Sequence, residues 1–417
     1  MAAEFGAAIQ SIVGIAGLVA ITWALSEQRR HVSWRVVVAG LLLQFLIAAL
    51  LLKFPLSQTL FLGLNRVVAA VQSATIAGTS FVFGYVGGGR SPFSITDPAA
   101  GFVLAFQALP LVLLMSALSA LLYHWRILPL VVKGFSRLLE RSLGLGGAVG
   151  VSSAANAFVG MVEAPLLIRP YMATMSRGEL FVVMTGGMAT IAGTMMVLYA
   201  TFLTGVIADP VGHLLTASLI SVPAAVMVAK IMVPDDTRTG GGEAPTAYGS
   251  SMDAVVRGTT DGVALLINII AMLIVLVALV ALVNSLLGLF PDLFGAPVTL
   301  QRLFGWVMAP IVWLMGIPAS EMVAAGALMG TKTVLNELLA YVDLAHLPAG
   351  VLSERSRVIM TYGLCGFANF GSLGIMIAGL SAMAPSRRDD IVALGGRSIV
   401  SGTLASCLTG AVVGVLL

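Results

Sequence analysis

Two carboxylates interrupt apolar sequence where a charge is out of place. Glu163 lies in Gly160-Met161-Val162-Glu163-Ala164-Pro165, and Glu337 ends Gly330-Thr331-Lys332-Thr333-Val334-Leu335-Asn336-Glu337. A charged side chain at the centre of a bilayer costs roughly 3 kcal/mol or more, so both should face a polar cavity rather than lipid. The competing reading is that each caps a broken half-helix or pairs with Lys332 or Arg169. Asn369 and Ser372 are three residues apart, so one helical face would present an amide and a hydroxyl together. Interhelical hydrogen bonding would account for the same pair. Asn156 and Thr190, with carbonyls freed where helices break, make an oxygen set suited to a hard monovalent cation.

Other chemistries lack their parts. The four histidines, His31, His124, His213 and His346, form no His-Glu-x-x-His pair, so zinc hydrolysis has no ligand set. There is neither a Gly-x-Ser-x-Gly elbow nor a phosphate-binding Walker loop, which argues against ATP-driven pumping by this chain. Cys365 and Cys407 both lie in apolar stretches and read as small buried residues. A membrane-embedded hydrolase using the paired glutamates and a passive channel are the alternatives to a transporter.

Composition says what must position these residues. Charged residues are 10% of the 417 and hydrophobic ones 59%, with mean hydropathy +1.02; a soluble domain carries about 25% charged residues. Repeated apolar segments near the ~20 residues that cross a bilayer predict an all-α polytopic membrane protein with about eight transmembrane helices. The net charge of +3 is spread between apolar segments, so it speaks of topology and not of nucleic acid.

In chain order, the spacing predicts a first helix at 6–25, retained because no basic region precedes it. The basic loop 28–35 then puts the amino terminus outside. A second helix covers 36–52. The stretch 55–100 is only moderately apolar and is expected at the outer surface or packed against protein. A span at 101–123 leads to 128–143, where Lys133, Arg137, Glu140 and Arg141 recur three to four apart among apolar residues, an interfacial amphipathic helix.

Between 146 and 170 the helix should break near Pro165, since proline removes a donor and excludes helix before it. Two half-helices meeting in the membrane fit better than one span. Spans follow at 179–203, interrupted at Gly186-Gly187 and 190–193, and at 214–233. The linker 234–253 reads as a solvated cytoplasmic loop without a site. A span at 262–289, an amphipathic segment at 300–314, a second broken region at 316–343, a long span at 357–384 and a last one at 391–417 complete the chain.

Val182-Val183-Met184-Thr185 with Gly187 is echoed by Val358-Ile359-Met360-Thr361 with Gly363. Each follows a glutamate-bearing broken segment, the pattern of an inverted repeat with its site at the repeat interface. The expected organisation is scaffold helices at 1–125, repeat 1 at 126–206, scaffold with the linker at 207–298, repeat 2 at 299–384 and a last helix at 385–417.

At Asn156-Ala157-Phe158-Val159-Gly160 and Glu163-Ala164-Pro165-Leu166-Leu167-Ile168-Arg169-Pro170-Tyr171 the chain resembles the concentrative nucleoside transporter family. Gly330-Thr331-Lys332 with Asn336-Glu337, and Gly363 through Phe370, resemble that family's other signatures. The resemblance implies two re-entrant helical hairpins, a homotrimer and import of nucleosides across the inner membrane on a cation gradient, with no cofactor. It implies ribose binding by Glu337, Asn369 and Ser372, base contacts from Phe367 and Met195, and a sodium site from Asn156, Thr190 and the carbonyls of Val159 and Ile191. Retention of Asn156 and Thr190 favours sodium over a proton. Where the family carries Gln followed by Ser or Thr as base-reading residues, this chain has Met161 and Val162, leaving Glu163 as that hairpin's polar group.

Overall fold

The computed structural model describes residues 2–94, 102–240, 248–293, 295 and 297–417. Among these there are helices and no strands. The middle of the expected linker, 241–247, and the end of the 55–100 stretch lie outside the described residues.

The first third comprises α1 (Ala2–Ala24), α2 (Trp34–Lys53), α3 (Pro55–Phe83), the single turn α4 (Leu104–Gln107), α5 (Leu111–His124) and α6 (Ile127–Leu143). The first hairpin is α7 (Gly147–Ala155) and the one-turn α8 (Glu163–Leu166), followed by α9 (Arg177–Ala189), α10 (Gly193–Leu203) and α11 (Pro210–Met232). After the linker come α12 (Ser251–Leu287), α13 (Leu300–Leu314), the second hairpin α14 (Met322–Val334) and α15 (Glu337–His346), then α16 (Glu354–Leu364), α17 (Phe370–Met383) and α18 (Arg388–Leu416).

Hydrogen bonds sort the helix ends onto two faces. On the linker face, the amide of Glu27 donates to Met232 O at 2.9 Å, and the Glu27 carboxylate pairs with Arg177 and, at 3.1 Å, with Arg397. On the opposite face, Gln10 Nε2 donates to Trp313 O and Ile317 O, while Arg355 donates to Gly316 O and Gly414 O. The first hairpin therefore enters from the linker face and the second from the opposite face. Each repeat runs amphipathic helix, hairpin, broken helix, as α6 to α10 and as α13 to α17, in opposite senses. The amphipathic character of α6 is visible in its buried Val132, Ser136, Leu139 and Leu143, four, three and four residues apart.

Eight of the described helices are long and apolar enough to cross a membrane, α3 among them. The contacts of α3 lay it along the opposite face instead. Phe61 meets Gly212, Asn65 Nδ2 donates to Asp209 Oδ1 at 2.5 Å, and Gln72 Nε2 donates to Thr201 Oγ1. The twelve residues from Phe61 to Gln72, about 16 Å at the standard helical rise, thus stay on the single corner between α10 and α11. Beyond the end of α3, Val86 O accepts from Gln107 Nε2 just before α5 begins its run toward the linker face. This agrees with the surface placement expected for 55–83, although the segment is one continuous helix. The broken pair α16 and α17 provides a crossing in its place.

Three expectations need correction. The span 357–384 is not continuous, because Cys365 to Asn369 leave helical geometry between α16 and α17. Gly186-Gly187 do not interrupt α9; the break comes at Thr190 to Ala192. The linker is not wholly solvated: Thr239 donates its amide and hydroxyl to the buried Glu179 carboxylate, both at 2.6 Å, and Asp235 Oδ2 accepts the Gly178 amide. Glu179 also closes a capping box with Ser176, so the linker fastens onto the first turn of α9.

The core is formed by α9, α10, α11 and α18, in whose most apolar 18-residue stretches 83% of the residues are buried, against 12% in that of the 37-residue α12. Ile267, Ile274, Leu279, Leu282 and Leu286 of α12 are exposed, as suits a surface facing lipid or another subunit.

Candidate substrate and cation site

A cavity of about 410 Å³ lies where the two hairpin tips meet the two helix breaks. That volume is in the range of small-molecule sites. It reaches toward the linker face, where Tyr123 and Tyr248 line it, and no residue of α3 or α13 does. Met161, Val162, Glu163, Met195, Glu337, Phe367, Asn369 and Ser372 all line this one space.

Glu337 is its fixed point. Asn336 caps α15 by accepting the Leu339 amide at 2.9 Å, which sets Glu337 at the positive end of that helix. Its Oε1 accepts the Tyr199 hydroxyl at 2.7 Å and its Oε2 accepts Asn369 Nδ2 at 2.8 Å. Only 4% of the residue is exposed. An ionised carboxylate offers about four acceptor sites, so two remain for donors in the cavity. Among the described residues Glu337 has no ion-pair partner; Lys332 instead donates to Gly363 O at 2.8 Å.

Asn369 and Ser372 do not share a helical face as the spacing suggested. Asn369 is the N-cap of α17, and its Oδ1 accepts the Ser372 amide at 2.7 Å. One amide thus starts the helix and orients Glu337 at the same time. On the other wall, Met161 is 8% exposed, and a methyl group added at Gly187 would fall 2.8 Å from its Cβ. Val162 packs against Gly379 of α17 in the same way, while Glu163 folds back over Gly160.

Beside the first tip, Asn156 is fully buried, and among the described residues neither its Oδ1 nor its Nδ2 has a partner. It abuts Gly186 in the last turn of α9, where Thr190 Oγ1 donates to Gly186 O at 2.8 Å. The last four carbonyls of a helix lack intrahelical partners and carry its negative end. Val159 and Ile191 lie in the non-helical backbone of the tip and the break. A buried amide oxygen without a partner beside a helix carboxyl end is the kind of donor that a monovalent cation takes.

Two signatures described as the Na+ dependent nucleoside transporter N-terminus and C-terminus match residues 13–86 and 213–414, and one described as nucleoside recognition matches 105–205. The nucleoside permease NupC of Helicobacter pylori is 33% identical, with 98% of this chain and 97% of that protein covered. The chain belongs to the concentrative nucleoside transporter family. Among solved structures it is similar to CNTnw in an inward-facing substrate-bound state, at 33% identity and a TM-score of 0.88, covering 98% of this chain and 97% of that one. A doubly substituted CNTnw in an outward-facing state matches with a TM-score of 0.87 at 33% identity. These proteins are transporters rather than enzymes, which sets aside the hydrolase reading.

Three residues of this site, one behind the cavity wall and two on it, had no sign in the sequence. Tyr199 has only its own hydroxyl to announce it in an apolar helix. A buried Tyr nonetheless seeks a partner, and the carboxylate across the break supplies one. Its ring stacks on Tyr341 at 4.7 Å. Asp261 and Asn268 of α12 line the cavity itself; they sit in a helix otherwise read as a plain span, and periodicity alone gave no sign of them.

Proposed function

We propose that this protein is a cation-coupled importer of nucleosides across the bacterial inner membrane, working by alternating access as a homotrimer. The observation that carries the reading is Glu337, a carboxylate held from two sides by Tyr199 and Asn369 on the wall of an otherwise largely apolar cavity. Two acceptor positions left on a fixed carboxylate suit the paired hydroxyls of a ribose, and Phe367 and Met195 suit the flat face of a base. The printed names of the matched family and of NupC support nucleosides as the substrate class.

Sodium is favoured over a proton as the coupling ion by the orphaned Asn156 beside the end of α9 and by the description of the matched family. Base preference is looser than in members that present Gln and Ser or Thr, because the side chains of Met161 and Val162 offer no hydrogen-bond donor and no strong acceptor. Glu163 is the group on that wall left to reach the base. Poor coverage of α12 fits a trimer whose scaffold faces its neighbours.

Uptake of radiolabelled uridine into proteoliposomes tests this. Accumulation above equilibrium under a sodium gradient is expected, while a pH gradient alone should drive little. Equilibration without accumulation under either gradient would reduce the protein to a passive channel.

A further inference from the structure

The two repeats end their first half-helices in equivalent ways and handle the exposed carbonyls differently. In repeat 1, α9 stops at Ala189 and faces Asn156 of the first hairpin, whose side-chain amide has no partner among the described residues. In repeat 2, α16 stops at Leu364 and faces Lys332 of the second hairpin, whose Nζ donates to Gly363 O at 2.8 Å. Lys332 follows Asn156 by the same number of residues that separates Gly187 from Gly363, so the two positions correspond in the register of that echo, each near the end of its hairpin's first half-helix.

Lys332 is fully buried, and no carboxylate lies within ion-pairing distance of it among the described residues. Its charge is therefore spent on the negative end of α16. That end is otherwise completed by neutral donors: Tyr341 donates its hydroxyl to Thr361 O at 2.7 Å, and the Cys365 amide donates to Tyr362 O. A buried ammonium is costly without such partners, and cations are favoured at a helix carboxyl end.

We infer that Lys332 is a resident cation: it fills, in repeat 2, the position that the exchangeable coupling ion takes beside Asn156 in repeat 1. The inference rests on the cation reading of the Asn156 site. Its consequence is that one repeat binds an ion from solution while the other carries its own, so one charge accompanies each nucleoside. Lys332 is a positioning residue, acting through the break between α16 and α17 that sets Asn369 opposite Glu337.

The test is the number of charges moved per nucleoside, obtained from the reversal potential of uridine flux in proteoliposomes. The wild-type protein should give one, and a value of two would overturn the inference. Because the measurement counts charge irrespective of the ion, it still decides the matter if protons rather than sodium prove to be the coupling ion. Failure of the sodium reading would appear separately, as flux that ignores the sodium gradient. Sodium-dependent uridine binding to purified Lys332→Gln and Lys332→Arg gives the second readout. Loss of binding by about tenfold or more in Lys332→Gln, or binding that now rises with a steeper power of sodium concentration, with Lys332→Arg restoring the wild-type response, is expected. Wild-type affinity and sodium response in Lys332→Gln would overturn it. Should Lys332→Gln not fold, the wild-type charge count stands as the deciding measurement.

Discussion

The Tyr199 hydroxyl and Glu337 Oε1 are 2.7 Å apart and belong to different repeats, α10 of the first and α15 of the second. One hydrogen bond thus ties the two halves of the molecule together at the substrate cavity. Removing it in Tyr199→Phe keeps the stacking on Tyr341 and leaves Asn369 as the one remaining brace. A hydrogen bond to a charged group contributes about 1.5 to 3 kcal/mol, so uridine affinity should fall by roughly tenfold or more. Isothermal titration on the purified variant measures this, and unchanged affinity would remove Tyr199 from the site.

Recognition of hydroxyls through Glu337 predicts a graded response to deoxynucleosides. Loss of either ribose hydroxyl leaves part of a buried carboxylate unmatched, which costs more than a lost apolar contact. Competition against uridine uptake should weaken by about tenfold or more for at least one of the 2′- and 3′-deoxy analogues. Glu337→Gln should erase the distinction along with most of the uptake.

Gly187→Ala tests how tightly the first hairpin is seated. The added methyl would lie 2.8 Å from Met161 Cβ and 3.5 Å from its Cα, so the tip must shift and not merely one side chain. Uridine uptake should drop severalfold or more while the protein still elutes as a folded species in gel filtration. Wild-type uptake would mean that the position of the tip is not critical.

Asn156→Ala removes the orphaned amide oxygen without enlarging the side chain. The concentration of sodium that half-saturates uridine uptake should rise about tenfold or more, with substrate affinity at saturating sodium changed less. An unaltered sodium dependence would place the coupling ion elsewhere.

The docking of the linker has a defined pH response. Partial burial pushes the Asp235 carboxyl up, but hydrogen bonds from Ser176, Thr237 and the Gly178 amide outweigh this and hold it below the usual aspartate range. A depressed carboxyl stabilises the folded contact above its unfolded value, near 3.9, and loses that contribution only as pH falls through the lower folded value. Hydrogen exchange at Gly178 and Thr237 should therefore be the same at pH 5 and pH 8 once corrected for intrinsic rates. Any pH dependence of uptake in that window then originates elsewhere than in this contact.

Much of the architecture was legible because membrane segments announce themselves by length and by the rarity of charge. Glu163, Glu337 and the two broken hairpin segments stood out against that background, and the repeat pattern gave the hairpins their opposite senses, whereas the break at 365–369 passed for continuous helix. What stayed hidden depends on pairing across the repeats. Asn369 reads as mid-helix by spacing, yet it caps α17 because the preceding segment is pulled against the first break, where the Phe367 amide donates to Thr190 O. Tyr199 and Asp261 gain their roles only through neighbours distant in sequence. The linker likewise looked solvated, since Asp, Thr and Gly suit both a free loop and a docked one.

The length of α12 bears on the kind of membrane in which the protein works best. Of its 37 residues, the uncharged run 262–287 makes a rod of about 39 Å, longer than the ~30 Å hydrocarbon layer, and few of its outward side chains are covered by the rest of the chain. Such a helix must lean, protrude or thicken the lipid around it, each at some cost per ångström of mismatch. Acyl-chain length thereby becomes a control on turnover: reconstitution into a series of phosphatidylcholines of increasing thickness should reveal an optimum rather than a plateau.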